Sequence, residues 1–235
     1  MSDRMRIVLE IGPKGRKVVA GAIDWPGLER GGRNDDVAIE KLLAYVSRYA
    51  PVAERAGLAA ELERQAEAPE VVERYPGNTS TDFWGIAHVP SPLERDTLPE
   101  AELERRLALL RATWAQFDAT VARVAGELRP GARGGGRTRE QVIRHVLLNE
   151  PDQFAKKVGV RVPLETVLDP GARAAYRDAF VDGICRANAA GPMVGRSWTL
   201  AFLLRRTAQH VMDHAWEMED RNPAAARVAE RARTA

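Results

Sequence analysis

Between Leu103 and Leu128 the apolar residues Leu103, Leu107, Leu110, Trp114, Phe117, Val121, Val124 and Leu128 recur at three- and four-residue intervals. That spacing puts them on one face of a long helix, and such a face has to be buried against other helices. Glu100 and Glu102 behind Pro99 favour the positive end of the helix dipole. Arg129-Pro130-Gly131 is predicted to end the helix. Thr138-Arg139-Glu140-Gln141 is a capping box that opens a second helix, with Val142, His145, Val146 and Asn149 along one side and Pro151 as a kink or a new start. A third helix is expected from Leu168-Asp169-Pro170 through Tyr176, Phe180 and Ile184, with Cys185 a small core residue on it. Arg196-Ser197-Trp198 begins a fourth. The expectation is a four-helix bundle over residues 99–221. The tail, 222–235, is Ala- and Arg-rich without aromatic anchors and reads as a frayed helix or a disordered end.

The fourth helix carries two of the chain's four histidines, His210 and His214. At i and i+4 they sit one turn apart on the same face. Leu200, Leu203, Thr207, Val211 and Met218 fall on or beside that stripe, so the imidazoles look inward. Buried imidazoles need hydrogen-bond partners or a metal. With His145 on the second helix, three neutral rings converging in a bundle would suit a divalent site for Zn, Ni, Fe or Mn with an open position. The competing reading has them hydrogen-bonded to Asp213, Glu217 or backbone. The loop Gly131 to Arg137, rich in glycine and arginine before a helix N-terminus, reads as a solvated connection or an anion site.

The N-terminal part has a different grammar. Arg6–Ile11 and Lys17–Ile23 are β-branched runs around Gly12-Pro13-Lys14-Gly15, a hairpin signal. Asp24 to Gly32 carries turn punctuation, and Asn34-Asp35-Asp36 should cap a helix from about Asp36 to Tyr49, its apolar face Ile39, Leu42, Leu43, Val46 and Tyr49 lying on the sheet. Val71–Tyr75 is a candidate returning strand. The fold class is therefore α+β: a β-β-α module over 1–75, a Pro-rich linker or crossover over 76–98 holding His88 as a surface loop histidine, the bundle over 99–221, and the tail.

Composition removes several classes. Thirty-five Lys and Arg against 33 Asp and Glu give +2, which is no polybasic surface, so no nucleic acid is expected. One cysteine excludes an internal disulfide and any multi-cysteine metal site. No apolar run approaches the ~18 residues of a membrane span and no signal segment is present, so a cytoplasmic protein without a membrane contact is expected.

Two resemblances follow from these residues. The strand, the Trp25-Pro26-Gly27-Leu28 turn, the following glycines and the helix opening Asp35-Asp36-Val37-Ala38-Ile39-Glu40 resemble the HicB-type antitoxin fold, without the DNA-binding segment those antitoxins usually carry. An accessory domain is implied, covering a site or making a homodimer contact. His145 in Ile143-Arg144-His145-Val146-Leu147 and the pair in His210-Val211-Met212-Asp213-His214 resemble the DinB/YfiT-type bundles, which include mycothiol-dependent maleylpyruvate isomerase-like proteins and bacillithiol transferases. That resemblance implies a three-histidine divalent metal site and, for an enzyme, a transferase acting on a small-molecule electrophile with a low-molecular-weight thiol as co-substrate. Asp213 or Glu217 would orient a histidine, and Arg144, Arg205 or Arg206 would hold a substrate carboxylate. The alternatives are a non-catalytic regulatory protein whose bundle the metal staples and a toxin–antitoxin component, the latter disfavoured by the charge.

Overall fold

In the computed structural model, which describes residues 3–124, 126–131, 135–193 and 197–223, the N-terminal runs form strands β1 (Met5–Ile11) and β2 (Val18–Ala22), paired antiparallel. Two further strands join them, β3 (Glu29–Gly32) and β4 (Pro69–Pro76), in the order β3-β2-β1-β4, with β4 parallel to β1. Helices α1 (Asp35–Ala44), α2 (Val46–Arg55) and α3 (Ala59–Ala66) precede β4, and the short α4 (Thr79–Trp84) follows it. Then come four long helices, α5 (Glu100–Arg123), α6 (Arg139–Asn149), α7 (Pro170–Ala189) and α8 (Leu200–Arg221). The class is α+β, a mixed sheet followed by helices. No helix among the described residues is long and apolar enough to cross a membrane.

Several local expectations shift. The Gly31-Gly32 pair lies in β3 rather than in a turn, because the backbone is approached too closely for any side chain. A Cβ at Gly31 would stand 2.3 Å from the carbonyl oxygen of Gly85. The single helix expected over 36–49 breaks at Tyr45, whose N–H turns back to the Leu42 carbonyl. Beyond the break Tyr49 is buried and donates to the Pro26 carbonyl at 2.7 Å. α5 stops at Arg123, short of Leu128, because Arg139 reaches across and donates to the Val121 and Val124 carbonyls, both at 2.6 Å. A cation on the last carbonyls is a favourable end for a helix. Cys185 is exposed, not core. α8 begins at Leu200, with the Thr199 hydroxyl accepting the Phe202 N–H. Arg196, positions 132–134 of the glycine-rich loop and tail residues 224–235 lie outside the described residues.

The chain divides into two compact units, one of Met1–Thr113 with Ile184–Gln209, the other of Trp114–Gly183 with His210–Ala235. In the first, β1 is buried almost end to end and carries Glu10, fully buried. Its carboxylate accepts the Thr81 hydroxyl at 2.5 Å and the backbone N–H groups of His88 and Val89 at 3.0 and 3.1 Å. Burial pushes Glu10 above the usual carboxylate range against the pull of those donors. The crossover 76–98 is thus threaded into the core. His88 is half-buried there, held neutral by burial and by Arg206, which push its pKa down to about 4.

Beside Glu10 lies Arg205, 2% exposed, donating through Nε and Nη2 to both Glu94 oxygens at 2.8 and 2.9 Å and through Nη1 to Glu29 at 2.7 Å. Its charge is opposed by burial but favoured by Glu94, Tyr75 and Glu29, leaving it well above the ordinary guanidinium value. Gly21 leaves room for it, since a Cβ there would stand 3.2 Å from Nη1. Removing one partner of a buried pair strands the other charge. Arg205→Met is expected to lower the unfolding free energy by about 3–5 kcal/mol, read by denaturant titration; a loss under ~1 kcal/mol would mean that the pair is not holding this core.

Candidate metal centre

α6 and the second half of α8 belong to the second unit, and they bring His145, His210 and His214 together. The three rings form a nearly equilateral triangle, with centroids 5.1, 4.8 and 4.9 Å apart. One ligand atom from each lies within 4.8 Å of the others. His145 Nε2 stands 3.3 Å from His210 Nε2. A tetrahedral ion with Zn–N bonds of about 2.0–2.1 Å sets its ligand nitrogens roughly 3.3–3.4 Å apart, so one edge of such a site already has its length. All three residues are half-buried. Burial, reinforced by His214 and Arg137, pushes His145 down to about 4. Its ring is therefore neutral at pH 7, the form that binds a metal.

Each of two rings is held from behind. His214 donates through Nδ1 to Glu217 at 2.8 Å, and Arg221 grips the other oxygen of that carboxylate at 2.7 Å. The hydrogen bond from His214 and the charge of Arg221 keep Glu217 below its ordinary value despite burial. A carboxylate on Nδ1–H fixes the tautomer with its lone pair on Nε2. Asn149 stands behind His145, its amide nitrogen 2.9 Å from Nδ1 and 2.8 Å from the His145 carbonyl. An N–H there leaves the imidazole proton on Nε2, where it bridges to His210. Half a turn of the amide would set Oδ1 against the His145 carbonyl oxygen, which now accepts from that amide at 2.8 Å, so the bonded orientation keeps the proton on Nε2. Asn149 thus sets the tautomer. In the sequence its one signal is the i+4 spacing from His145, which places it on the same side of the helix but gives it no chemistry.

Pro151, which follows His145 in the chain, does not end the helical path. It sits in a π-helical turn, Glu150–Phe154, that continues the helix and carries buried Phe154 to His210, ring centroids 5.5 Å apart. The remaining candidates are dispersed. Asp213 is half-buried on α8 one residue before His214. Arg144 is exposed and paired with Glu165 at 2.5 Å. Arg206 lies in the first unit, buried, and donates to Gln209 on its own helix. Arg205 does hold carboxylates, but they are the protein's own.

Glu150, at the start of the π-helical turn, is buried against Trp114, whose indole N–H donates to it, with Arg177 Nε 4.0 Å away. Burial outweighs Arg177 and Trp114 and pushes its pKa up to about 7. A folded state that holds a proton more tightly than the unfolded chain loses stability as that proton leaves. The contribution of Glu150 is complete below about pH 4.5 and is lost as pH rises through about 7. Glu150→Gln is expected to flatten that decline in a series of denaturant titrations from pH 4.5 to 8; an unchanged slope would assign the decline to other groups.

No family model matches this chain, nor does any curated protein or solved structure.

Proposed function

We propose that this protein binds one divalent metal ion through His145, His210 and His214 and acts as a metal-dependent transferase that joins a low-molecular-weight thiol to a small electrophile. The observation that carries the reading is the convergence of three imidazole ligand atoms within 4.8 Å. The order of the helices supports a DinB-like assignment: of the four long ones, the second supplies one histidine and the fourth the pair. On this reading the N-terminal sheet is the HicB-like accessory domain.

A bound divalent ion lowers the pKa of a coordinated thiol and presents it as a thiolate. The chain's own groups prepare the place for it. Glu217, anchored by Arg221, aims His214, while an ion bound at His145 Nε2 would replace the proton that Asn149 keeps there. Phe154 stands against His210 as an apolar wall that limits water. Three protein ligands leave a coordination position for the thiol. Arg144 is exposed, and its pairing with Glu165 is of the kind worth little in water, so it is available to a substrate carboxylate.

A second reading is favoured by the direct His145–His210 contact at 3.3 Å, which also suits a metal-free cluster of hydrogen-bonded histidines on a binding protein. Metal analysis of untagged protein separates the two. The expected result is about one equivalent of divalent metal, absent from a His210→Ala/His214→Ala variant. If the wild type holds none and takes up neither Zn, Ni, Mn nor Fe(II), the metal reading falls and the hydrogen-bonded cluster stands. Given a loaded protein, Glu217→Ala is expected to weaken metal affinity roughly 10–100-fold in a chelator competition. An unchanged affinity would leave that carboxylate a surface partner of Arg221 only.

A further inference from the structure

Among the described residues the most exposed large apolar side chains are neighbours, Phe83 at 74% and Trp84 at 65%. They end α4, their rings edge to face with centroids 4.6 Å apart, and the chain turns away at Gly85 in the left-handed region, φ +69°. Asp82, just before them, is used structurally. Its carboxylate accepts the backbone N–H groups of Lys14, Arg16 and Lys17 at 2.7, 2.8 and 3.1 Å. This clasp fixes the β1–β2 hairpin turn to α4 and gathers cations around the aromatic pair. Lys14 and Arg16 share a hollow of about 270 Å³ with Phe83, and the stem of Lys17 passes over Gly85, where a Cβ would meet its Cδ at 3.6 Å. The three basic side chains are exposed.

We propose that the tip of α4 and the hairpin turn form a docking surface for an anionic lipid bilayer, with Phe83 and Trp84 in the interfacial zone and Lys14, Arg16 and Lys17 against headgroup phosphates. Large exposed aromatics are the residues that partition to the bilayer interface, and cations beside them give the preference for anionic lipid. The complementarity is local, since the chain as a whole carries only +2. Single-stranded nucleic acid fits less well, because rings at 81° to each other do not offer parallel platforms to successive bases. Such contact is peripheral and revises the expectation, drawn from the lack of a spanning segment, that no membrane is involved.

The test is flotation of the full chain with vesicles of phosphatidylcholine and phosphatidylglycerol in equal parts, against phosphatidylcholine alone. Binding to the mixed vesicles is expected to be at least about tenfold tighter and to be lost in high salt. Phe83→Ser/Trp84→Ser is expected to lower it by roughly tenfold or more, with circular dichroism unchanged because both residues are exposed. Lys14→Glu/Arg16→Glu should abolish the preference for anionic lipid. No binding by the wild type, or full binding by the folded Phe83→Ser/Trp84→Ser variant, would overturn the proposal. So would capture of an oligothymidine strand in place of vesicles, which would assign the surface to nucleic acid.

Discussion

The first unit depends on a guanidinium that has left water. Arg205 stands 2% exposed between Glu29 on β3 and Glu94 in the crossover, with the Tyr75 hydroxyl at 3.3 Å. Three buried carboxylates, Glu10, Glu29 and Glu94, would not stay in this interior as bare charges. Each is met by donors from a different part of the chain: Glu10 by Thr81 and the backbone of His88 and Val89, Glu29 by the Ala87 N–H and Arg205, Glu94 by the Ser91 N–H and Arg205. The irregular path of residues 76–98 has its reason here. It runs where the sheet's carboxylates need N–H groups, and Ala87, His88 and Val89, which follow α4 outside any helix or strand, have those groups to give.

α8 serves two chemistries five residues apart. Arg205 turns into the polar core of the first unit, while His210 and His214 belong to the second. Between them Thr207 donates to the Leu203 carbonyl of its own helix, keeping a fully buried hydroxyl satisfied. One helix therefore holds a salt-bridged cation and two imidazoles, and what separates them is the partner each meets. Carboxylates in a dry site retain the arginine charge, while the histidines of α8 meet His145 of α6, whose ring burial keeps unprotonated.

Periodicity was a good guide wherever one residue type repeats on one face. The four long helices, the hairpin and the shared face of His210 and His214 follow from spacing, because a helical period fixes which side chains of one helix can point together; that His145 of another helix meets them is seen only in the fold. It was a poor guide where the decisive contact is distant in sequence. Nothing local distinguishes Arg205 from Arg206, yet one is bridged to Glu29 and Glu94 and the other to Gln209. Gly31 and Gly32 carry the composition of a turn, and only Gly85 and Ala38 pressing on them show why they lie in a strand. Asn149 was visible beside His145, but its role needs the distance from amide to Nδ1.

Pro151 shows how a local conflict is resolved in favour of the site. A proline inside a helix lacks an N–H and crowds the carbonyl one turn back, so α6 should break after His145. Instead the backbone widens to a π-helical turn over Glu150–Phe154, a device that inserts a residue without ending the helix and is often found at functional sites. The widening re-aims the side chains of the turn. Phe154 reaches His210, and Glu150 is buried against Trp114. The same five residues thus supply the apolar neighbour of the candidate metal centre and a carboxyl whose pKa burial raises to about 7, so the proline that threatened the helix helps to define the surroundings of its histidine.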